Sequence, residues 1–191
     1  MRPDGRPSGP RRPEPARVFF ALWPDDRVRK ALHQAAVDCA RRFGGRAMQP
    51  ETLHLTLAFI GDVPLEDLPR LQEAAAGVDG SAFRLGFDRL GFWGHNHILW
   101  AGSRQADPAL SAVAHGLAGR LEAAGYPSGI KTGRPFAPHV TLVRNVVNKH
   151  PELPELPSVD WACQEFVLVR SRLSGQGAAY ETVARWPLRS P

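Results

Sequence analysis

The chain has 191 residues, of which 43% are hydrophobic and 23% are charged, the balance of an ordinary domain with its own core. No apolar run reaches the roughly 18 residues that a membrane helix needs, and no apolar stretch follows the N-terminal arginines, so we expect neither a membrane span nor a secretory signal. Two cysteines cannot build a disulfide framework, and we expect a cytoplasmic protein.

The net charge of +5 is concentrated in the N-terminal segment. Residues 1–17 hold five arginines against two acidic residues, whereas residues 18–191 hold 19 basic against 17 acidic residues. A Pro- and Arg-rich segment of this kind is typical of chain without fixed structure. We therefore predict a disordered tail over residues 1–16 and a single folded domain over residues 17–191. A solvated tail is favoured over a dedicated RNA-binding arm.

The folded part is predicted to alternate strands and helices. Asp25 or Asp26 can cap the first helix, which Gly44 ends, and the pair Asp107-Pro108 begins another helix. Several strands are joined by short turns, which favours an antiparallel α+β fold over a doubly wound sheet. In chain order, we predict a strand at 17–23, a helix at 28–43, a strand at 53–60, a helix at 65–77, strands at 83–92 and 97–101, a helix at 108–124 and strands at 138–143, 165–170 and 179–186.

One tetrapeptide pattern occurs twice, 85 residues apart, as His54-Leu-Thr-Leu and His139-Val-Thr-Leu. Each copy lies in a predicted strand, where side chains alternate between faces. His54 and Thr56 therefore share one face, and His139 and Thr141 pair in the same way. The alternation places Leu55, Leu57 and Phe59 on the core face, and it places Arg144 on the face of Val140.

Two histidines and two threonines on facing strands suit phosphoester chemistry. With a reference pKa near 6.5, one imidazole can accept a proton from water while the other donates a proton to a leaving oxygen. Threonine hydroxyls can donate hydrogen bonds to phosphate oxygens as charge develops on them. A single His-x-Thr is usually a structural pair, but two copies in matching strands favour a catalytic site. Core packing is favoured for Trp93, as for Phe59, over stacking on a base.

The repeated motif resembles that of the 2H phosphoesterase superfamily, and specifically the RNA 2',3'-cyclic phosphodiesterase family, also called 2'-5' RNA ligases. The resemblance runs from about Arg17 to Leu188 and includes the opening Arg17-Val-Phe-Phe-Ala-Leu and a closing hairpin with Gly177 and Tyr180. It implies a bilobal α+β fold, in which two related lobes of antiparallel sheet backed by helices enclose a central cleft.

The resemblance also implies the reaction and the roles of the residues. His139 would activate water against a cyclic phosphate at an RNA or nucleotide end, and His54 would protonate the departing 3'-oxygen to leave a 2'-phosphate. Thr56, Thr141 and Arg144 would bind the phosphate, although Arg144 reaches the cleft only if its strand ends or bends. No metal or other cofactor and no membrane partner are expected, and we expect a monomer.

Two alternatives stay open. One is another 2H activity, either 2'-5' RNA ligation or the opening of a different cyclic phosphate. The other is a nucleotide- or RNA-binding module without turnover, although two intact copies of the motif argue against a module that only binds.

Overall fold

In the computed structural model, which describes residues 15–105, 107–130, 136–174 and 177–190, the described chain forms ten strands and three α-helices. The segment predicted to be a tail falls almost wholly outside these residues. The elements are β1 (Ala16–Leu22), α1 (Asp26–Phe43), β2 (Arg46–Ala47), β3 (Leu55–Val63), α2 (Leu68–Ala76), β4 (Phe83–Phe87), β5 (Arg89–Trp93), β6 (Ile98–Gly102), α3 (Pro108–Ala123), β7 (His139–Arg144), β8 (Val159–Cys163), β9 (Glu165–Ser174) and β10 (Gly177–Pro187).

The strands form antiparallel sheets, which confirms the predicted fold class. Seven of them follow the order β10-β9-β1-β3-β7-β6-β5, with β2 added beside β7, and β4 and β8 form a separate two-stranded sheet. The two motif strands, β3 and β7, are neighbours at the centre. They meet at one residue pair, Leu55 opposite Val140, and each of these residues directly follows a motif histidine.

The sheet has an internal two-fold arrangement about this pair. On the outer side of β3 lies β1, and on the outer side of β7 lies β6; each is followed in the chain by a long helix. The helices cross over, because α1 packs against β7 and α3 packs against β3. The two halves are therefore interlocked, and one continuous hydrophobic core runs through both.

The two long helices lie where the sequence predicts them, although α1 begins two residues earlier and α3 ends one residue earlier than predicted. The side chain of Asp25, and not that of Asp26, caps α1 by accepting a hydrogen bond from the Val28 N–H at 2.8 Å. Gly44 ends α1 with φ 75°, a conformation that favours glycine. In α3, Asp107 accepts from the Leu110 N–H at 2.9 Å and Pro108 takes the first helical position.

Two strand predictions are wrong in detail. Residues 83–92 are not one strand, because Asp88 interrupts them: its N–H donates to the Gly102 carbonyl and its carboxylate accepts from the Arg104 N–H. The chain turns there, so β4 leaves the large sheet to pair with β8. The strand predicted at 53–60 is longer than expected, because Gly61 lies within β3 at φ 90° and β3 continues to Val63.

The main core is built from one face of the central strands and from the apolar stripes of the helices, and a separate small cluster on the other face of β1 and β9 consists of Phe19, Ala21, Val167 and Val169. Its largest fully buried side chains are Trp161, Phe20, Phe87 and Phe166. No helix in the described part of the chain is long and apolar enough to cross a bilayer.

Candidate active site

The two motifs meet in one cavity of about 160 Å³ at the junction of β3 and β7. His54 stands one residue before β3, and His139 is the first residue of β7. Thr56 and Thr141 follow on the same faces, and all four side chains are half-buried. The cavity is lined by Met48, Thr52, His54, Thr56, Trp93, Ile98, His139, Thr141 and Arg144. Every residue predicted for the site is thus found in one place.

Both histidines are held by the same local hydrogen bond. The Nδ1 of His54 lies 2.7 Å from the Thr52 carbonyl oxygen, and the Nδ1 of His139 lies 2.9 Å from the Ala137 carbonyl oxygen. A carbonyl only accepts, so each Nδ1 carries the proton and donates it. The Nε2 of each neutral imidazole is then left with a free lone pair, and it is the nitrogen available for proton transfer.

A bulge at the last residue of each motif reverses the alternation of side chains. In β3, Phe20 faces Ala58 and Ala21 faces Thr56, so Leu57 has no partner in β1. In β7, Leu99 faces Val143 and Trp100 faces Thr141, so Leu142 has no partner in β6. An extra residue of this kind moves the side chains directly after it to the opposite face, and in β3 a second irregularity at Ile60 ends this effect just after Phe59.

The bulges bring the fifth residue after each histidine to the cleft face. Arg144, which strict alternation would turn away, lines the cavity with both motifs. Phe59 was expected on the core face, and that prediction is wrong: its side chain is 45% exposed and lines the cleft. Phe59 and Arg144 occupy equivalent positions in the two halves, and the site is therefore symmetric in backbone but not in chemistry.

Aromatic rings surround the two imidazoles. His54 lies between Trp23, stacked in parallel at 5.4 Å between ring centroids, and Phe19 at 4.7 Å, and Tyr180 meets it edge-on at 5.3 Å. His139 meets Trp93 edge-on at 4.5 Å. Trp93 is half-buried against this histidine and is not a core residue. The contacts of Trp23 and Tyr180 with His54 were not predicted, because Trp23 directly follows β1 and Tyr180 lies in β10, and only the folded sheet brings these segments to His54.

The surroundings lower the pKa of both histidines. Burial lowers the pKa of His54 to about 4, with smaller contributions from the positive charges of Arg144 and His139; the hydrogen bond to Thr52 acts in the opposite direction. Burial and Arg144 likewise lower the pKa of His139. Both imidazoles are therefore neutral near pH 7. An anion between them would offset Arg144 and favour the imidazolium form.

Comparisons with known proteins agree with this geometry. Residues 22–100 match the family model of LigT-like phosphoesterases. The RNA 2',3'-cyclic phosphodiesterase of Escherichia coli K12 is 32% identical over 92% of this chain and 98% of its own length. The enzyme of the same name from Thermus thermophilus is 32% identical over 91% of this chain and 90% of its own length. The crystal structure of E. coli LigT complexed with 3'-AMP superimposes with a TM-score of 0.82 at 30% identity, covering 92% of this chain and 99% of that one.

Proposed function

Because the chain belongs to the LigT-like phosphoesterases of the 2H superfamily, we propose that it hydrolyses the 2',3'-cyclic phosphate of RNA or nucleotide ends to a 2'-phosphate. Its enzyme class is that of four curated relatives, all RNA 2',3'-cyclic phosphodiesterases at 26–32% identity. A relative that binds 3'-AMP supports a substrate with a phosphate on the ribose.

The proposed step is an in-line displacement at phosphorus. Neutral His139 takes a proton from water at Nε2, and the water oxygen bonds to phosphorus as the bond from phosphorus to the 3'-oxygen breaks. His54, protonated at Nε2, donates that proton to the 3'-oxygen, leaving a free 3'-hydroxyl and a 2'-phosphate. In both histidines, the Nδ1–H bond to a backbone carbonyl keeps Nε2 directed to the reaction.

The remaining residues stabilise the charge that builds up on phosphorus oxygens. Thr56 and Thr141 donate hydroxyl hydrogen bonds from the two motif strands, and Arg144 supplies the guanidinium. The two imidazoles transfer the protons and Arg144 neutralises the developing charge, so no metal ion takes part in the proposed step. The observation that carries this proposal is that two histidines with identically fixed tautomers share one cavity with those donors.

The test uses purified protein in EDTA and a short RNA that ends in a 2',3'-cyclic phosphate. Wild-type protein should produce a 2'-phosphate end, separated chromatographically from the 3'-phosphate isomer. His54→Ala and His139→Ala should each lower kcat by about 10²–10⁴-fold, the range expected for loss of a general acid or base. His115→Ala is the matched control, because His115 is an exposed histidine on α3 whose Nδ1 bonds within its own helix.

Three results would count against the proposal. A 3'-phosphate product would mean that the 2'-oxygen, and not the 3'-oxygen, is the leaving group. Activity that is lost in EDTA and restored by a metal ion would refute the metal-free step. RNA binding without turnover of any cyclic phosphate would leave a binding module.

A further inference from the structure

The cavity between the motifs opens on the β1 side into a larger space of about 520 Å³, which we call the cationic arm. Three guanidinium groups line the arm, those of Arg17, Arg46 and Arg144, and the described lining residues include no carboxylate. Within the described residues, none of the three forms a salt bridge. Asp62 is the strand partner of Arg17 but forms no salt bridge with it, and arginines without an ion-pair partner in a concave site favour an anionic ligand.

Arg17 lies beside Phe59 in this arm. It is exposed near the start of β1, and its guanidinium carbon lies 5.3 Å from the ring centroid of Phe59. A guanidinium held over an aromatic ring gains cation–π energy and loses less rotamer freedom when it binds a ligand. The bulge after Thr56 is what brings Phe59 to this position, so the arm depends on the same distortion as the site itself.

The direction from which water attacks phosphorus indicates that the nucleoside lies in the cationic arm. In an in-line displacement, the attacking water and the leaving 3'-oxygen lie on opposite sides of phosphorus. Water activated by His139 therefore places the ribose on the side of His54. The arm is lined by His54 and Thr56 but not by His139 or Thr141. Its volume lies within the range of sites that hold ligands of nucleotide size.

We infer that the cationic arm holds the terminal nucleotide and that Arg17, positioned by Phe59, binds the phosphate attached to its 5'-oxygen. This inference rests on the proposed function, because it uses the direction of attack. Arg144 is engaged with the cyclic phosphate, which leaves Arg17, with Arg46 beside it, for a second phosphate. The enzyme then recognises two phosphates of one nucleotide, and it selects RNA ends over nucleoside 2',3'-cyclic phosphates.

The test compares three substrates that share the same reacting group. They are adenosine 2',3'-cyclic phosphate, the same compound with a 5'-phosphate, and the dinucleotide ApA ending in a 2',3'-cyclic phosphate. For wild-type protein, the 5'-phosphate should raise kcat/KM by about tenfold or more, the value of one charged hydrogen-bonded contact. The dinucleotide should show a gain of similar size, because it carries a phosphate at the same position.

Variants identify the residue that binds this 5'-phosphate. Arg17→Gln should bring the ratio of kcat/KM with and without the 5'-phosphate close to 1, and Phe59→Leu should lower the ratio partway. Arg17→Lys should retain part of the ratio, since it keeps the charge. Arg41→Gln is the matched control: Arg41 lies on α1 with 76% of its side chain exposed, and this variant should keep the wild-type ratio.

The outcomes separate this inference from the proposed function. Equal kcat/KM for the three substrates would overturn the inference and leave the hydrolase intact. So would an Arg17→Gln variant that lowers kcat/KM equally for all of them, or a gain that appears with the dinucleotide but not with the 5'-phosphate alone. Turnover of none of the substrates by wild-type protein would contradict the proposed function itself.

Discussion

At the scale of single residues, the low pKa of His54 and its proposed role as the general acid together predict the pH dependence of the reaction. A general acid must be protonated, and with a pKa of about 4 the protonated fraction of free His54 falls tenfold per pH unit above that value. We therefore predict that kcat/KM, which reports on the free enzyme, declines on its alkaline limb with an apparent pKa well below 6.5. The alkaline limb of the kcat profile should lie at higher pH than that of kcat/KM, because the bound phosphate stabilises the imidazolium form of His54. Steady-state kinetics from pH 3 to 8 measure the alkaline limbs of both profiles.

Arg144→Gln provides the control for this prediction. Removing the guanidinium charge should raise the pKa of His54, observed directly by NMR titration of its ring protons, and move the alkaline limb of kcat/KM upward even as affinity for the phosphate falls. An alkaline limb at or above pH 6.5 in the wild-type protein would contradict the assignment of His54 as the acid.

The same pKa shift affects stability. The folded protein holds His54 below the unfolded value of about 6.5, so the neutral form is favoured and stability is complete above that pH. As pH falls from about 6.5 to about 4, the unfolded state binds the proton first, and the free energy of unfolding should drop by up to about 3 kcal/mol. Urea unfolding at several pH values should show a smaller drop in the free energy of unfolding for His54→Gln than for the wild-type protein. Equal pH dependence of the two proteins would count against a lowered pKa of His54.

At the scale of elements, the cap of α1 is a local prediction with an internal comparison. Asp25→Ala removes the acceptor of the Val28 N–H and should lower the free energy of unfolding by about 1 kcal/mol. Asp26→Ala, one residue later, removes only an exposed ion pair with Arg29 and should cost at most about 0.5 kcal/mol. Urea denaturation distinguishes them, and equal losses would mean that the cap contributes no more than the surface pair.

The elements also show what could and could not be predicted from the sequence. Helix periodicity, the caps and the alternation in the two motifs are local signals, and they located α1, α3 and the four His and Thr side chains. The bulges at Leu57 and Leu142 arise from pairing with β1 and β6, and nothing local marks them. Phe59 was therefore assigned to the wrong face, and Arg144 could reach the cleft only by a bend that the sequence left open.

At the scale of the whole molecule, the site depends on how the two halves are joined. β3 and β7 meet at a single pair, Leu55 and Val140, both fully buried, while α1 and α3 each pack behind the motif strand of the other half. Interlocking of this kind leaves no half with a core of its own, so we expect a single cooperative unfolding transition. We also expect a change at the junction to alter the separation of His54 from His139.

Leu55→Ala tests this dependence. Truncating a buried leucine should lower the free energy of unfolding by about 2–5 kcal/mol. Because Leu55 lies between His54 and Thr56 and against the second motif strand, we also expect kcat to fall at least about tenfold as the two imidazoles lose their fixed spacing. Leu71→Ala is the matched control: Leu71 is equally buried on α2, which packs on α3 and β10, so stability should fall similarly while kcat is retained. Kinetics at a temperature where both variants are folded separate the two effects, and equal kcat in the two variants would show that the junction does not set the spacing of the histidines.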